Sequence, residues 1–545
     1  MAKLLHNRWV GLLFISMGIS LVIIDGTIVN TIFPNVINAL KLTSTEVQWV
    51  QESYVLVFAS LLLVWGSVAD RIGRRLLMII GILIFIAASM WAGMSQDANA
   101  MILARVVQGI GGSMVLPTTL SLVNANFQGR ERGIAFAIWG STIGGMVALG
   151  PVLGGWLATD FGTDGWRLAF NVNLPIGLVI VLGSLLFVSE SKVANKHDGL
   201  DVLGAGISVI MFLTLVFGLI EGRAYGWWNA SDTNVFQLGD FKWGTDGISV
   251  IPVSLAISAV FFTLFVLWER SRAKAHKNVL LDLDLFRISS FRNGSIAALI
   301  ISMGEFGVIF ALPLWLQNVE GLNAVESGLV LLWLAGGAFL ASGAGGAMSG
   351  KVAPAVAVRL GVALELAGVV AVAFTIGADA GWGWLAPGLL LYGIGVGFAT
   401  AQLTGVIMID VPVDKVGQGS GSQSTVRQIG SALGIAVIGT TLFSATQVSL
   451  ENRLTDLKVT GESATGIVNA VVDSSGGAIP KLNDILTSTA HMPLAAAQKI
   501  TDASGAAFSD GAKWAALSAA VFLLLGLFST FRLSGKKHSE GSHHE

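Results

Sequence analysis

Long apolar stretches recur along the 545-residue chain, separated by short polar or glycine-rich breaks. Each is about 20 residues or a little more, the length that carries an α-helix across a bilayer core. They fall near 9–37, 47–68, 76–96, 101–125, 133–157, 167–188 and 201–221. Seven more fall near 248–268, 292–316, 325–349, 356–377, 383–408, 421–445 and 511–532. The pattern predicts an all-α polytopic membrane protein with fourteen transmembrane helices, and an even number puts both termini on one side.

The polar breaks orient the helices, because Lys and Arg concentrate in cytoplasmic loops. With the N-terminus inside, the inner loops hold Arg71, Arg74, Arg75, Arg130, Arg132, Lys192, Lys196, Arg270, Arg272, Lys274, Lys277, Arg287, Lys351, Arg359 and Lys415. Lys536 and Lys537 follow in the tail. The short outer loops hold few: Lys41, Lys242 and the helix-edge Arg167 and Arg223. Both termini are therefore expected in the cytoplasm. Two outer segments are longer than the rest. Residues 222–247 carry Trp227, Trp228 and Trp243, side chains suited to the headgroup layer. Residues 446–510 are rich in Ala, Ser, Thr and Gly with spaced aliphatics, and the helical periodicity of 445–457 allows a long loop or a helical hairpin.

Composition narrows the class. Charged residues make up 12% of the chain and hydrophobic residues 53%, with a mean hydropathy of +0.74, whereas soluble domains are about a quarter charged. There is no cysteine, hence no disulfide framework or thiolate metal site. The N-terminal apolar run is too long for a signal-peptide core and lacks a small-residue cleavage site, so it is read as a retained helix. His538, His543 and His544 in the tail are read as solvated, with no metal implied. No phosphate-cradling Gly-Lys-Ser/Thr is present, which argues against a nucleotide as energy source. Neither an activated nucleophile nor an acidic or His-rich metal cluster suggests an enzyme, and no feature suggests a nucleic-acid partner.

The two ends of the chain echo one another. Gly109-Ile110-Gly111 has a counterpart in Gly393-Ile394-Gly395, and Gly133 and Gly144 match Gly419 and Gly430. The break at Gly66–Arg75 corresponds to Gly346–Lys351, where the basic pair is lost. Two six-helix halves with the seventh and eighth helices inserted between them explain these echoes, an architecture common among secondary transporters.

Against so apolar a background the intramembrane charges stand out. Asp25 lies mid-helix, where a charge costs at least about 2.5–3.5 kcal/mol to insert, so it is a candidate for proton coupling or substrate binding. The bland reading is a neutral Asp hydrogen-bonded to Thr27 or a neighbouring helix. Glu52, two residues before Tyr54, is either a cation-recognising carboxylate or a solvated acid at a helix start. Glu305, followed by Phe306 and Phe310, joins an acid to aromatic faces, a combination suited to a lipophilic cation. Its alternative is a Glu facing a cavity or pairing with Arg427. Glu365 and Arg427 are weaker candidates, and Glu221 beside Gly226-Trp227 is read as interfacial and structural.

Four segments together resemble the fourteen-helix drug/proton antiporter family of the major facilitator superfamily. Gly66-Ser-Val-Ala-Asp70-Arg71-Ile-Gly73-Arg74-Arg75 is similar to that superfamily's loop between the second and third helices, with Val68 where Leu is commoner. Arg105-Val-Val-Gln108-Gly109-Ile-Gly111 is similar to its fourth-helix signature, and Gly150-Pro151-Val-Leu-Gly154-Gly155 to the antiporter signature of the fifth. Asp25-Gly-Thr27-Ile-Val-Asn30, followed by Pro34, resembles the first-helix signature of the fourteen-helix branch. One departure is Met146, where the antiporter signature usually has Gly.

The resemblance implies the major facilitator fold, two six-helix bundles plus two extra helices. It divides the chain into an N-terminal bundle (1–190), inserted helices (191–290), five helices of the second bundle (291–445), the outer segment (446–510) and a last helix with its tail (511–545). It implies that Arg105 influences protonation of a nearby carboxylate, Asp25 being the obvious one, and that the Gly66–Arg75 loop latches the halves on the cytoplasmic side. Proton coupling is then assigned to Asp25, Arg105 and Glu305, and substrate binding to Glu52, Tyr54, Gln108, Glu305, Phe306 and Phe310. The implied function is proton-driven export of lipophilic, cationic drugs from the cytoplasm by a monomer in the inner membrane of a bacterium. It uses no cofactor beyond the proton motive force, and its partners are small lipophilic molecules, protons and membrane lipid. The alternative is an exporter of one endogenous metabolite or lipid on the same fold.

Overall fold

The computed structural model describes residues 7–42, 44–192, 199–230, 235–238, 241–244, 246–348, 352–377, 381–488 and 491–533. Helices occupy all fourteen expected positions. The first six are α1 (Arg8–Leu40), α2 (Ser44–Ile72), α3 (Arg74–Met94), α4 (Ala98–Asn126), α5 (Gly129–Asp160) and α6 (Gly165–Phe187, broken at Val172). The inserted pair is α7 (Val202–Ile220) and α8 (Val250–Lys274). The last six are α9 (Ser289–Asn318), α10 (Ala324–Met348), α11 (Pro354–Thr375), α12 (Leu385–Met408), α13 (Val416–Asp456) and α14 (Leu494–Thr530). Among the described residues, twelve of these helices are long and apolar enough to cross a membrane; α5 and α10 are the two outside that set.

The packing pattern repeats with an offset of eight helices. In the first half α1 packs on α5 and α6, α3 on α4 and α6, and α2 on α4. In the second half α9 packs on α13 and α14, α11 on α12 and α14, and α10 on α12. This recurrence is the fold-level counterpart of the weak glycine echo in the sequence. The inserted α7 and α8 pack on each other, and α7 leans on α2 and α13. The bundles meet along α5 with α10 and α12, and along α2 with α13.

Several expectations change on folding. The Gly66–Arg75 segment is not an extended turn: α2 runs through Ile72, only Gly73 breaks it, and α3 starts at Arg74. Gly73 takes φ +119°, a conformation costly for any residue with a Cβ. The outer segment is folded. The 41-residue α13 is about 60 Å long at ~1.5 Å per residue, twice the ~30 Å bilayer core. It extends beyond the expected 421–445, and α14 starts well before the expected 511. Two short amphipathic helices, Glu462–Asp473 and Ile479–Ser488, bridge them. They bury Val468, Val471, Leu482 and Leu486 against the α13–α14 stem. The shorter outer segment holds a small hairpin pairing Gln237 with Lys242. The side chains of Asn30 and Pro34, Gly144, the repeat turn Gly346–Lys351, Lys196 and the tail with its histidines lie outside the described residues.

Candidate functional site

In the first bundle, five polar side chains from four helices meet in the apolar interior. Asp25 is fully buried on α1. Its carboxylate accepts from Arg105 Nη1 at 3.0 Å, Gln108 Nε2 at 2.8 Å and Asn173 Nδ2 at 2.7 Å. Ser89 on α3 accepts from Gln108 and Asn173, tying the donors together. Arg105 and Gln108 lie three residues apart on α4, so they share a face. Tyr54 supplies the remaining wall, with the Arg105 guanidinium 4.3 Å from its ring centroid. The ring fits because Gly109 and Gly112 of α4 lie against α2: a Cβ on Gly112 would stand 3.3 Å from the Tyr54 hydroxyl. An ionised carboxylate held by one guanidinium and two amides is satisfied despite its depth.

Asp25, the obvious candidate for the carboxylate that Arg105 influences, is thus in contact with it, and Gln108 and Tyr54, expected to touch substrate, line the same cluster. Asn173 was absent from the expectations. It lies between Val172, where α6 breaks, and Leu174, and in sequence resembles an ordinary helix-start Asn.

In the second bundle Glu305 on α9 receives Arg427 Nη2 at 3.1 Å and Thr400 Oγ1 at 3.1 Å. The Tyr392 hydroxyl donates to the Glu305 main-chain carbonyl at 3.0 Å. The Arg427 pairing weighed for Glu305 is present. Phe306 and Phe310 are half-buried on the same helix, and Phe310 packs against Gly439 of α13. Glu365 on α11 is completely buried nearby.

Glu52 is not next to these centres. It faces α7, where its carboxyl lies beside that of Glu221. Glu221, expected at the interface, is buried. It ends up inside because the α7 C-terminus packs on α2, with Tyr225 and Phe217 closing over it.

The loop signature forms a latch between the halves. Asp70 accepts from Arg74 Nη2 at 2.8 Å and from the main-chain N–H groups of Gly417 at 2.9 Å and Gln418 at 3.3 Å. Those N–H groups are the unpaired start of α13, so a carboxylate there also meets the positive end of the helix dipole. Gly66 lets α2 approach this closely, since a Cβ on it would collide with Gly421. Arg74 also donates to Ser191 at 2.9 Å and Arg71 to the Gly199 carbonyl at 2.9 Å. Glu190 caps α3 through the N–H groups of Arg75 and Leu76, both at 3.0 Å. Beside the latch, Lys415 donates to Asp282 at 2.5 Å and Gln418 Oε1 accepts from the Asp282 N–H at 3.1 Å. Burial disfavours the Asp282 charge. The Lys415 hydrogen bond, the Asp284 N–H and the Lys415 charge outweigh it and hold Asp282 below the ordinary 3.8. The hydrogen bond to Asp282 raises Lys415 above 10.5 despite partial burial.

The antiporter signature lies at two helix crossings. A Cβ on Gly150 or Gly154 would collide with Thr27 or Ile28 of α1, and one on Gly155 with Val325 of α10. Pro151 and Val152 touch the opposing Gly328 of α10. This stretch is where α5 joins its own bundle to the other.

Two pseudo-repeated helical bundles with a buried charge centre in each, joined by glycine crossings and by the Asp70 contacts to α13, define a membrane transporter and not an enzyme. The description of the Major Facilitator Superfamily matches residues 15–435, and the chain belongs to that superfamily. It is 29% identical over 436 residues to the tetracenomycin C resistance and export protein of Streptomyces glaucescens, covering 80% of this chain and 76% of that one. It is 29% identical over 528 residues to a multidrug efflux pump of Mycolicibacterium smegmatis, covering 95% and 94%. The human organic anion transporter MFSD10 shares the fold with a TM-score of 0.59 at 12% identity, over 96% of this chain and 99% of that one. The chain is thus a multi-span membrane protein of a family with bacterial drug and antibiotic exporters among its members.

Proposed function

We propose that the protein is a proton-coupled antiporter that exports lipophilic, cationic compounds from the cytoplasm by alternating access. The observation that carries this reading is Asp25: a carboxylate buried in the first bundle and held by Arg105, Gln108 and Asn173. Protonating it from outside removes the charge those donors hold. Arg105 loses its partner, and the repacking that follows is coupled to outward release of substrate. The Asp70 latch closes the cytoplasmic side meanwhile and opens when the proton leaves inward. One proton moving down ~100 mV supplies ~2.3 kcal/mol, and a tenfold pH gradient adds ~1.4 kcal/mol. Together they sustain several-hundredfold substrate accumulation per proton.

The efflux names of the relatives and the acidic centres support drug export. The relative named for tetracenomycin C alone favours the second reading, export of a single compound. The test is ethidium efflux from proteoliposomes under an imposed pH gradient, wild type beside Asp25→Asn. Gradient-dependent flux lost in the variant is the expected outcome. Surviving flux moves the proton site elsewhere, and folded protein that moves no organic cation leaves the single-compound exporter.

A further inference from the structure

The second bundle holds a carboxyl group that the packing does not explain. Both Glu365 oxygens are buried, and neither has a hydrogen-bond partner among the described residues. A bare carboxylate in such a place is very costly unless a proton neutralises it.

The internal repeat shows that a carboxyl is not needed there for shape. Gly111 of α4 packs against Gly81 and Phe85 of α3, and the matching Gly395 of α12 packs against Gly361 and Glu365 of α11. Gly361 and Glu365 thus stand where the first bundle has Gly81 and the fully buried Phe85. An apolar side chain serves at the equivalent crossing, so the carboxyl calls for another reason.

Its neighbours supply one. Gly368, one turn along α11 from Glu365, packs against Tyr392 of α12, whose hydroxyl reaches the Glu305 main chain, and Arg427 of α13 pairs with the Glu305 carboxylate. Arg359 lies near the start of α11, beside Thr530, and Lys513, midway along α14, lies beside Phe374 at the end of α11. The inner group is therefore two carboxyls and one guanidinium. With one proton it is neutral; without it, the net charge is −1. The Asp25–Arg105 pair is neutral with no proton at all. Arg427 is the one member of the triad with appreciable exposure, its side chain 21% accessible against 5% for Glu305.

We propose that Glu365, with Glu305 and Arg427, forms a second exchange centre that holds either one proton or one monovalent lipophilic cation. In the resting state Glu365 carries the proton and Glu305 pairs with Arg427. The proton passes from the Glu365 hydroxyl to a Glu305 carboxylate oxygen as Arg427 turns to the Glu365 carboxylate, so one O–H bond breaks, one forms and the charge is unchanged. Loss of that proton leaves −1, which a cation seated beside Phe306 and Phe310 neutralises. This deepens the antiport reading and rests on it.

The test is proton release from weakly buffered, detergent-purified protein on addition of tetraphenylphosphonium, with affinity measured across pH. Each proton displaced makes the affinity rise about tenfold per pH unit. Glu365→Gln should release one proton fewer per bound cation and flatten that slope by about tenfold per pH unit. Glu365→Leu, an apolar residue as at Phe85, should fold and behave alike. Infrared spectra of the unliganded protein provide a readout without ligand: a protonated-carboxyl band present in wild type should be missing from Glu365→Gln. Unchanged proton release and pH slope in both variants, or an unchanged band, overturns the proposal while leaving antiport intact. A wild type that binds the cation and releases no proton overturns both.

Discussion

Asp25 shows how a charge survives in the middle of an apolar bundle. Its three donors come from α4 and α6, and Ser89 fixes the two amides so that neither can turn away. Hydrogen bonds to charged groups contribute about 1.5–3 kcal/mol each. Asn173→Ala should therefore leave the protein folded but cut gradient-driven efflux by roughly tenfold or more, since the Asp25 anion loses that support. Asn173→Asp should be worse, because it sets a second carboxyl against the first. Efflux rates in proteoliposomes, with thermal stability as the folding control, check both. Asp25, Arg105 and Gln108 were legible as single residues: a charge in an apolar run is conspicuous, and an i, i+3 pair on one helix shares a face. Asn173 was not, because a neutral amide near a helix break has no signature until its partner is known.

The elements are held by backbone approach at chosen glycines. Gly150 and Gly154 bring α5 onto α1 beside Thr27 and Ile28, two and three residues from Asp25, so a change in this crossing is felt at the charge centre. Gly150→Val should abolish transport and lower thermal stability, since the added atoms have no space between the helices. Gly145 on the same helix meets nothing within 4 Å, and Gly145→Ala should be nearly silent in both measurements. Helix places were readable from hydropathy, because every spanning segment must bury its own backbone and present apolar side chains to lipid. Helix ends were less so: α13 and α14 leave the membrane without ending, as their amphipathic continuations pack into the outer cap and not against lipid.

At the scale of the molecule, the start of α13 is where polar contacts from the two halves and from the connection after α8 converge. Asp70 reaches it from the first bundle, and Asp282 holds Lys415 beside it from the connection after α8. Asp70→Asn removes the charge from the Gly417 and Gln418 N–H groups and from Arg74, so it should favour opening of the cytoplasmic face. Spin labels on the inner ends of α2 and α13 should report a longer mean distance and a slower transport cycle. The Asp282–Lys415 clasp has a defined pH window. Asp282 is held below 3.8, so its contribution is complete above that value and fades as pH falls through the lowered one. Lys415 is held above 10.5, so the contribution fades again only as pH rises through the raised value. In an Asp70→Asn background the same distance should be insensitive to pH between about 5 and 9 and should lengthen in strong acid.

The sequence by itself determined that this chain is a many-helix membrane protein, which carboxylates are out of place, and which glycines and basic residues mark the halves, while the resemblance of its motifs pointed to a transporter. Those facts are local: hydropathy, charge and spacing act within a helix or a loop. Only the tertiary structure decided that Asp25 is shared by α1, α4 and α6, that Glu52 meets Glu221 across an inserted helix, that Asp70 grips the start of α13, and that Glu365 stands where the other half has Phe85. Each is a meeting of side chains far apart in the chain, and their partners are fixed by how the helices cross.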